Sequence, residues 1–318
     1  MNQPPVTSKS PWRRGLSFGV LLLAAPLLSG AETRATAPVP TLDALAAHAR
    51  GVLREIEASE HSWVRIHAAE ALMAGGESDA IRAEFLANLP ALESSTIRVG
   101  VWRVLATTAP SPEDREPWIV KIARVYLDPA APDQNQAIET LCKLGFRVSG
   151  EVLAKVRREA AGPPSVPMSL AQWSAVLAGE PDALPRVTAL LASSDPVLRG
   201  DAAYALRWLH LSDPIMCQAI ARAAAAEPAG TSAYPYILGA ALTVDADPTQ
   251  TAAWTAKLND VFLTSGTTDA RFEASWTLRH RYRVADLTRL AAMLDLPPKE
   301  NDARVGAAAV ILVTLSRR

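Results

Sequence analysis

The chain has 318 residues, and its 32 Lys and Arg against 33 Asp and Glu give a formal charge of −1 at pH 7. That balance supplies no phosphate-neutralising basic stripe and argues against nucleic acid as a partner. Length alone suggests about two domains, but internal repetition makes one elongated array sufficient, because each unit contacts only its neighbours.

The N-terminus carries Lys9, Arg13 and Arg14, then an apolar run from Leu16 to Leu28 that contains Pro26, then Ser29-Gly30-Ala31. A positive segment, a short apolar segment and small residues before a cut are the three parts of a secretory signal peptide. The run is shorter than the roughly 20 apolar residues of a spanning helix. Cleavage after Ala31 is therefore expected, with a periplasmic or secreted product and no membrane span in it. Removing residues 1–31 takes three basic and no acidic residues, which leaves 29 against 33 and a formal charge of −4. Residues 32–40, rich in Ala, Thr and Pro, read as a disordered leader.

From residue 41 the pattern is helical and paired. Leu42, Leu45, Ala46, Val52, Leu53 and Ile56 form the stripe of a first helix, Ser62 offers a cap, and Val64-Arg65-Ile66-His67-Ala68-Ala69-Glu70-Ala71-Leu72 begins a second. That phrase returns as Leu198-Arg199-Gly200-Asp201-Ala202-Ala203-Tyr204-Ala205-Leu206. With Arg65 as the reference, equivalent positions fall at Arg98, Gln134, Leu170, Arg199, Pro235, Arg271 and Arg304, at steps of 29 to 36 residues, which makes eight units.

Ser95, Asp133, Asp195 before Pro196, Thr268 or Asp269, and Asn301 or Asp302 offer cap oxygens to the second, or B, helices. Asp213-Pro214 and Asp247-Pro248 do the same for the first, or A, helices of units six and seven. No alternating β-branched run bounded by hairpin turns is present, so strands are not expected. Gly162-Pro163-Pro164 and the 29-residue step predict a kink near 160–170. Asp245-Ala246-Asp247 reads as a cap and turn rather than a calcium loop, which needs further oxygen ligands.

In the last helix, Ala307-Ala308-Ala309-Val310-Ile311-Leu312-Val313 is apolar around most of its circumference, whereas a terminal repeat normally shows water a polar face. Either a wide core stripe ends at Ser316-Arg317-Arg318, or Ala307 to Leu315 docks on a partner or a second copy. Cys142 and Cys217 sit three units apart. At 8–10 Å per helix that is roughly 25–30 Å, beyond the roughly 7 Å limit of a disulfide. Two free, mostly buried and inert thiols are expected.

The Asp-Pro-x-x-Arg-x-x-Ala-Ala-x-x-Leu phrase, nearly complete from Asp195 to Leu206 and partial at Trp63 to Leu72 and Asp269 to Leu278, resembles the short bacterial HEAT repeat, also met in phycobilin-lyase-type proteins. The resemblance covers residue 41 to the end. It implies an all-α α-solenoid of about eight helix pairs, with B helices on the concave face and the recurrent Arg and Asp tying neighbouring units together. Gln134, Leu170 and Pro235 depart from the pattern.

No catalytic, metal or cofactor motif stands out. Candidate binding residues lie at the ends of two B helices: Arg207 and Arg279 share one position, Trp208 and His280 the next, with His210 and Trp276 close by. Such a patch suits an anionic group, a sugar face or an acidic loop; its plain alternative is a solvated helix end, where cations favour the negative dipole. The tryptophans read as packing between units, with Trp208 and Trp276 the two candidates for sugar contact. The expectation is an exported binding scaffold or assembly module for a protein or polymer, using its concave surface or terminal repeat. The alternative is a carbohydrate-active lyase or hydrolase with a concave-face site.

Overall fold

The structure, a computed structural model, describes residues 41–244 and 247–317. The proposed signal peptide and leader lie outside these residues, as do Asp245 and Ala246. The described part is all-helical, without strands. No described helix is long and apolar enough to cross a membrane.

Eight pairs follow one another. The A helices are α1 (Leu42–Ser59), α3 (Ser78–Ala87) with the short α4 (Leu89–Glu93), α6 (Pro112–Leu127), α8 (Gly150–Ala160), α10 (Ala183–Ala189), α12 (Pro214–Ala226) and α14 (Pro248–Thr264). The eighth is built from 3-10 turns over Val284–Leu290 and α16 (Ala291–Leu294). The B helices are α2 (Trp63–Leu72), α5 (Arg98–Thr107), α7 (Gln134–Lys143), α9 (Val166–Ala178), α11 (Pro196–Trp208), α13 (Tyr234–Ala241), α15 (Thr268–Leu278) and α17 (Asn301–Leu315). The 29-residue step shortens α10. Gly162-Pro163-Pro164 forms the turn between α8 and α9, where Ser165 accepts from the Met168 amide.

Several caps fall where the sequence places them. Ser62 accepts from the Val64 amide, Asp195 from Val197, Asp213 from Ile215 and Asp247 from Thr249. Other candidates do not cap: Thr268 and Asp269 lie inside α15, whose first turn has no side-chain cap, and Asp302 lies inside α17 beside His67. Asp133 precedes α7 without capping it, because both its oxygens accept from Arg98 at 2.8 Å. Asn301 opens α17, yet its amide donates to Glu60 at 2.8 Å.

Each B helix packs on the next, from α2 through α5, α7, α9, α11, α13 and α15 to α17, and α17 packs in turn on α2 and α1. Where the sequence reading has an open-ended superhelical array, these contacts describe a closed circuit. The physical reason lies in α17: Asn301 and every residue from Ala303 to Thr314 are buried, so the helix needs apolar cover on all sides and finds it on α1, α2 and α15. Self-association through Ala307 to Leu315 is corrected accordingly, since that surface is consumed within one chain. Close approach depends on Gly306, where a Cβ would lie 2.2 Å from Ser275 Oγ.

Residues of like register touch along the circuit. A Cβ on Gly200 would meet Ala233 and Tyr236, and one on Gly239 would meet Thr277. The B helices therefore run parallel and end on the same side.

Candidate functional site

The residue five places after each reference position falls on the B-helix face turned away from the A helices. In order these residues are Glu70, Arg103, Glu139, Ala175, Tyr204, Ala240, Trp276 and Ala309. Polar and aromatic members alternate with alanine in the second half of the chain, and the small positions let long side chains reach over one unit to the next but one.

Tyr204 Oη donates to Glu139 Oε1 at 2.9 Å, passing from α11 to α7 across α9. Arg207 pairs with Glu273 and donates to Thr277 Oγ1 at 2.8 Å, passing from α11 to α15 across α13. Gly239 makes the second crossing possible, because a Cβ there would press within 3.6 Å of Arg207 Cδ and 3.0 Å of Thr277 Oγ1.

These groups join into a polar belt. Arg103 Nε donates to Glu70 at 2.7 Å, and Lys143 Nζ lies 2.8 Å from Glu139. Lys143 and Arg207 both sit over the Tyr204 ring, at 5.4 and 5.0 Å. On the other side Arg279 lies 4.3 Å over Trp276, Trp276 stacks on Phe272, and Phe272 stacks on His67 at 4.2 Å. His67 Nδ1 is 3.3 Å from Asp302. Sequence reading missed Glu70, Arg103, Glu139 and Glu273; the available signal was charge recurring at a fixed register inside helices otherwise rich in alanine.

Ionisation is set by burial against pairing. Burial would raise Glu70, but Arg103 and Lys143 hold it below the usual carboxylate range. Glu139 is held low in the same way by Lys143 and Arg103. Burial lowers Lys143, with Arg103 adding to the effect, and lowers Arg207. Tyr204 is pushed well up by burial and by the Glu139 charge. Arg279 is lowered to about 10, first by burial and then by Arg207.

The six residues of the candidate patch separate into three kinds. Arg207 is buried and committed to Glu273 and Thr277, so the expectation that it is open to a ligand is corrected. Trp208 is half-buried with its ring centroid 6.3 Å from Trp173, and Trp276 is flanked by Phe272 one turn before and Arg279 one turn after, so both serve packing. His210, at φ 47°, and His280 are exposed, while Arg279 is half-buried and makes no ion pair among the described residues.

Cys142 and Cys217 are free, the first buried and the second half-buried. A cavity of about 430 Å³ lies beside Lys143, walled by Thr107, Pro110, Ser111, Arg115 and Leu144. Comparison of the chain with family models, with curated proteins and with solved structures found no match.

Proposed function

We propose that the chain is an exported binding module, a HEAT-like helix-pair array closed on itself, which recognises a protein partner with the side on which its B helices end. The observation that carries this reading is the commitment of the central charges. Glu70, Glu139 and Glu273 are each engaged by a cation, and Tyr204 keeps its proton. A general acid or base works best with a pKa near the operating pH, so these groups suit fixed charges better than proton transfer. Polar groups free for recognition stand instead at the helix ends, at His210, Arg279 and His280.

The HEAT-like reading is supported by the recurrent arginine, which at three of its positions reaches an acid of the following unit, while Arg65 pairs with Glu57 within unit one. Arg98 meets Asp133, Arg199 meets Glu227 at 2.8 Å and Arg271 meets Glu300 at 3.5 Å. Export rests on the pattern of residues 9–31 and is tested by mass spectrometry of the secreted chain, whose first residue should be Glu32.

The binding reading is tested by affinity capture from the native extracellular or periplasmic fraction. A partner retained by the wild type and lost when His210→Glu and His280→Glu are combined supports it. A partner retained equally by that variant moves the surface elsewhere. Turnover of a polysaccharide library with no partner captured favours the enzyme reading.

A further inference from the structure

Arg207 and Arg279 occupy the same register, eight residues after their references, but they meet different surroundings. Arg207 of unit five finds its partners two units on, at Glu273 and Thr277 of unit seven. Two units on from Arg279, because α17 closes on α2, is unit one, where the equivalent positions are His67 and Ala71. The carboxylate that neutralises Arg207 thus has no counterpart for Arg279. His67 is itself engaged with Asp302 and Phe272.

Charges at the centre reflect this difference. Glu70, Glu139 and Glu273 are paired with Arg103, Lys143 and Arg207, and Asp302 with His67, while Arg279 makes no ion pair among the described residues. The Arg279 guanidinium is fixed, lying over Trp276 and donating to the Trp276 carbonyl. Two further arginines flank it. Arg281 donates to the Leu242 carbonyl, and Arg317 donates to the His280 carbonyl at 2.7 Å. Neither makes an ion pair among the described residues, and their carbonyl bonds hold them in place without neutralising them. Glu70, already paired with Arg103, is the carboxylate whose charge reaches Arg279, and a half-buried cation with no ion pair of its own costs stability unless a partner supplies one.

We infer that Arg279, with Arg281 and Arg317 beside it, receives a carboxylate of an acidic peptide segment, which stands to Arg279 as Glu273 stands to Arg207. This inference rests on the binding reading above and names the chemistry of the partner. A singly charged carboxylate is favoured because Glu70, whose charge acts on Arg279, disfavours a dianion such as phosphate. A guanidinium fork fits a planar carboxylate in two parallel hydrogen bonds. A sugar acid fits less well, since Phe272 stacks on Trp276 and Arg279 lies over its ring, which crowds the indole a sugar ring would use.

The test is fluorescence anisotropy of a dye-labelled hexaglutamate peptide with the exported chain. Wild type binds, and binding weakens as salt rises. Arg279→Gln weakens it at least about tenfold, corresponding to about 1.4 kcal/mol, while Arg279→Lys retains part of it. Arg283→Gln, at an exposed arginine already paired with Asp286, leaves it unchanged. Melting curves establish that each variant is folded. Absence of peptide binding by the wild type, or equal binding by folded Arg279→Gln, overturns the inference. Competition by oligogalacturonate at lower concentration than by hexaglutamate also overturns it, in favour of a sugar acid. If the peptide does not bind while partner capture still depends on His210 and His280, the binding reading stands and only the acidic-peptide inference falls.

Discussion

Arg304 Nη1 lies 3.3 Å from Glu55 Oε1, joining the eighth unit to the first across 249 residues of chain. The contact follows the rule by which Arg98, Arg199 and Arg271 each reach an acid in the following unit, with unit one following unit eight. Closure thus reuses the device that links neighbours. The two partners differ in burial, since the Arg304 side chain is 8% exposed and that of Glu55 is 61% exposed.

Arg304 should therefore matter through its buried bonds rather than through the ion pair. It donates to the Leu294 carbonyl at 3.0 Å and to Asn301 Oδ1 at 2.8 Å. Arg304→Met is expected to lower unfolding free energy by about 2–4 kcal/mol, as buried acceptors lose their donor. Glu55→Gln should cost less than about 1 kcal/mol. Urea denaturation of both variants checks the ordering; equal losses would assign the stabilisation to the ion pair.

Gly306 sets how closely α17 approaches α15. A methyl group there would meet Ser275 Oγ at 2.2 Å and Ser275 Cβ at 2.8 Å. Gly306→Ala should destabilise by about 1–3 kcal/mol through overpacking. Adding Ser275→Ala removes the nearer clash and should recover part of the loss, which a double-mutant cycle measures directly.

A closed circuit unfolds differently from an open array. In an open array deletion of the last unit removes one set of neighbour contacts. Here residues 301–317 contact α1, α2 and α15 together. Their deletion is expected to broaden or abolish the cooperative thermal transition and to expose amides of α2 as well as α15 in hydrogen exchange. Protection of α2 unchanged by the deletion would contradict closure.

Glu57 gives the fold a pH dependence of definite sign. Burial, and then its hydrogen bond with Glu84, raise its pKa from 4.5 to about 7 despite the nearby Arg65. Because the folded pKa exceeds the unfolded one, the contribution is fully present below about pH 4.5 and is lost as pH rises to about 7. Glu57→Gln, which mimics the protonated form, should stabilise the protein relative to wild type more at pH 8 than at pH 4.5, as read from melting temperatures at both values.

The thiols should react in order of exposure. Burial pushes Cys142 well above its ordinary value, so thiolate is scarce there. Maleimide labelling of the native protein is expected at the half-buried Cys217 first, with Cys142 modified only on unfolding, as peptide mass mapping would show.

The helix pairs, their register and many of their caps were legible in the sequence because each depends on residues within one or two turns. Asp195 caps α11 from one residue before it, and Leu206 falls in the core because its spacing from Ala202 and Ala203 is that of one helical face. The central belt was less legible. Tyr204 with Glu139 and Arg207 with Glu273 pair across an intervening unit, 65 and 66 residues apart, and only the small residues between them make those crossings possible.

By itself the sequence determined a chain of eight helix pairs with small residues at their interfaces, since helical periodicity and side-chain size are local properties. It also marked α17 as apolar all round without deciding what would cover it. Only the tertiary structure decided that, because closure is the accumulated rotation of every unit on the last, and no single interface records the sum. The same closure brings unit one beside unit eight and distinguishes Arg207 from Arg279, two residues alike in register: the first pairs with a glutamate, and the position equivalent to that glutamate for the second is a histidine.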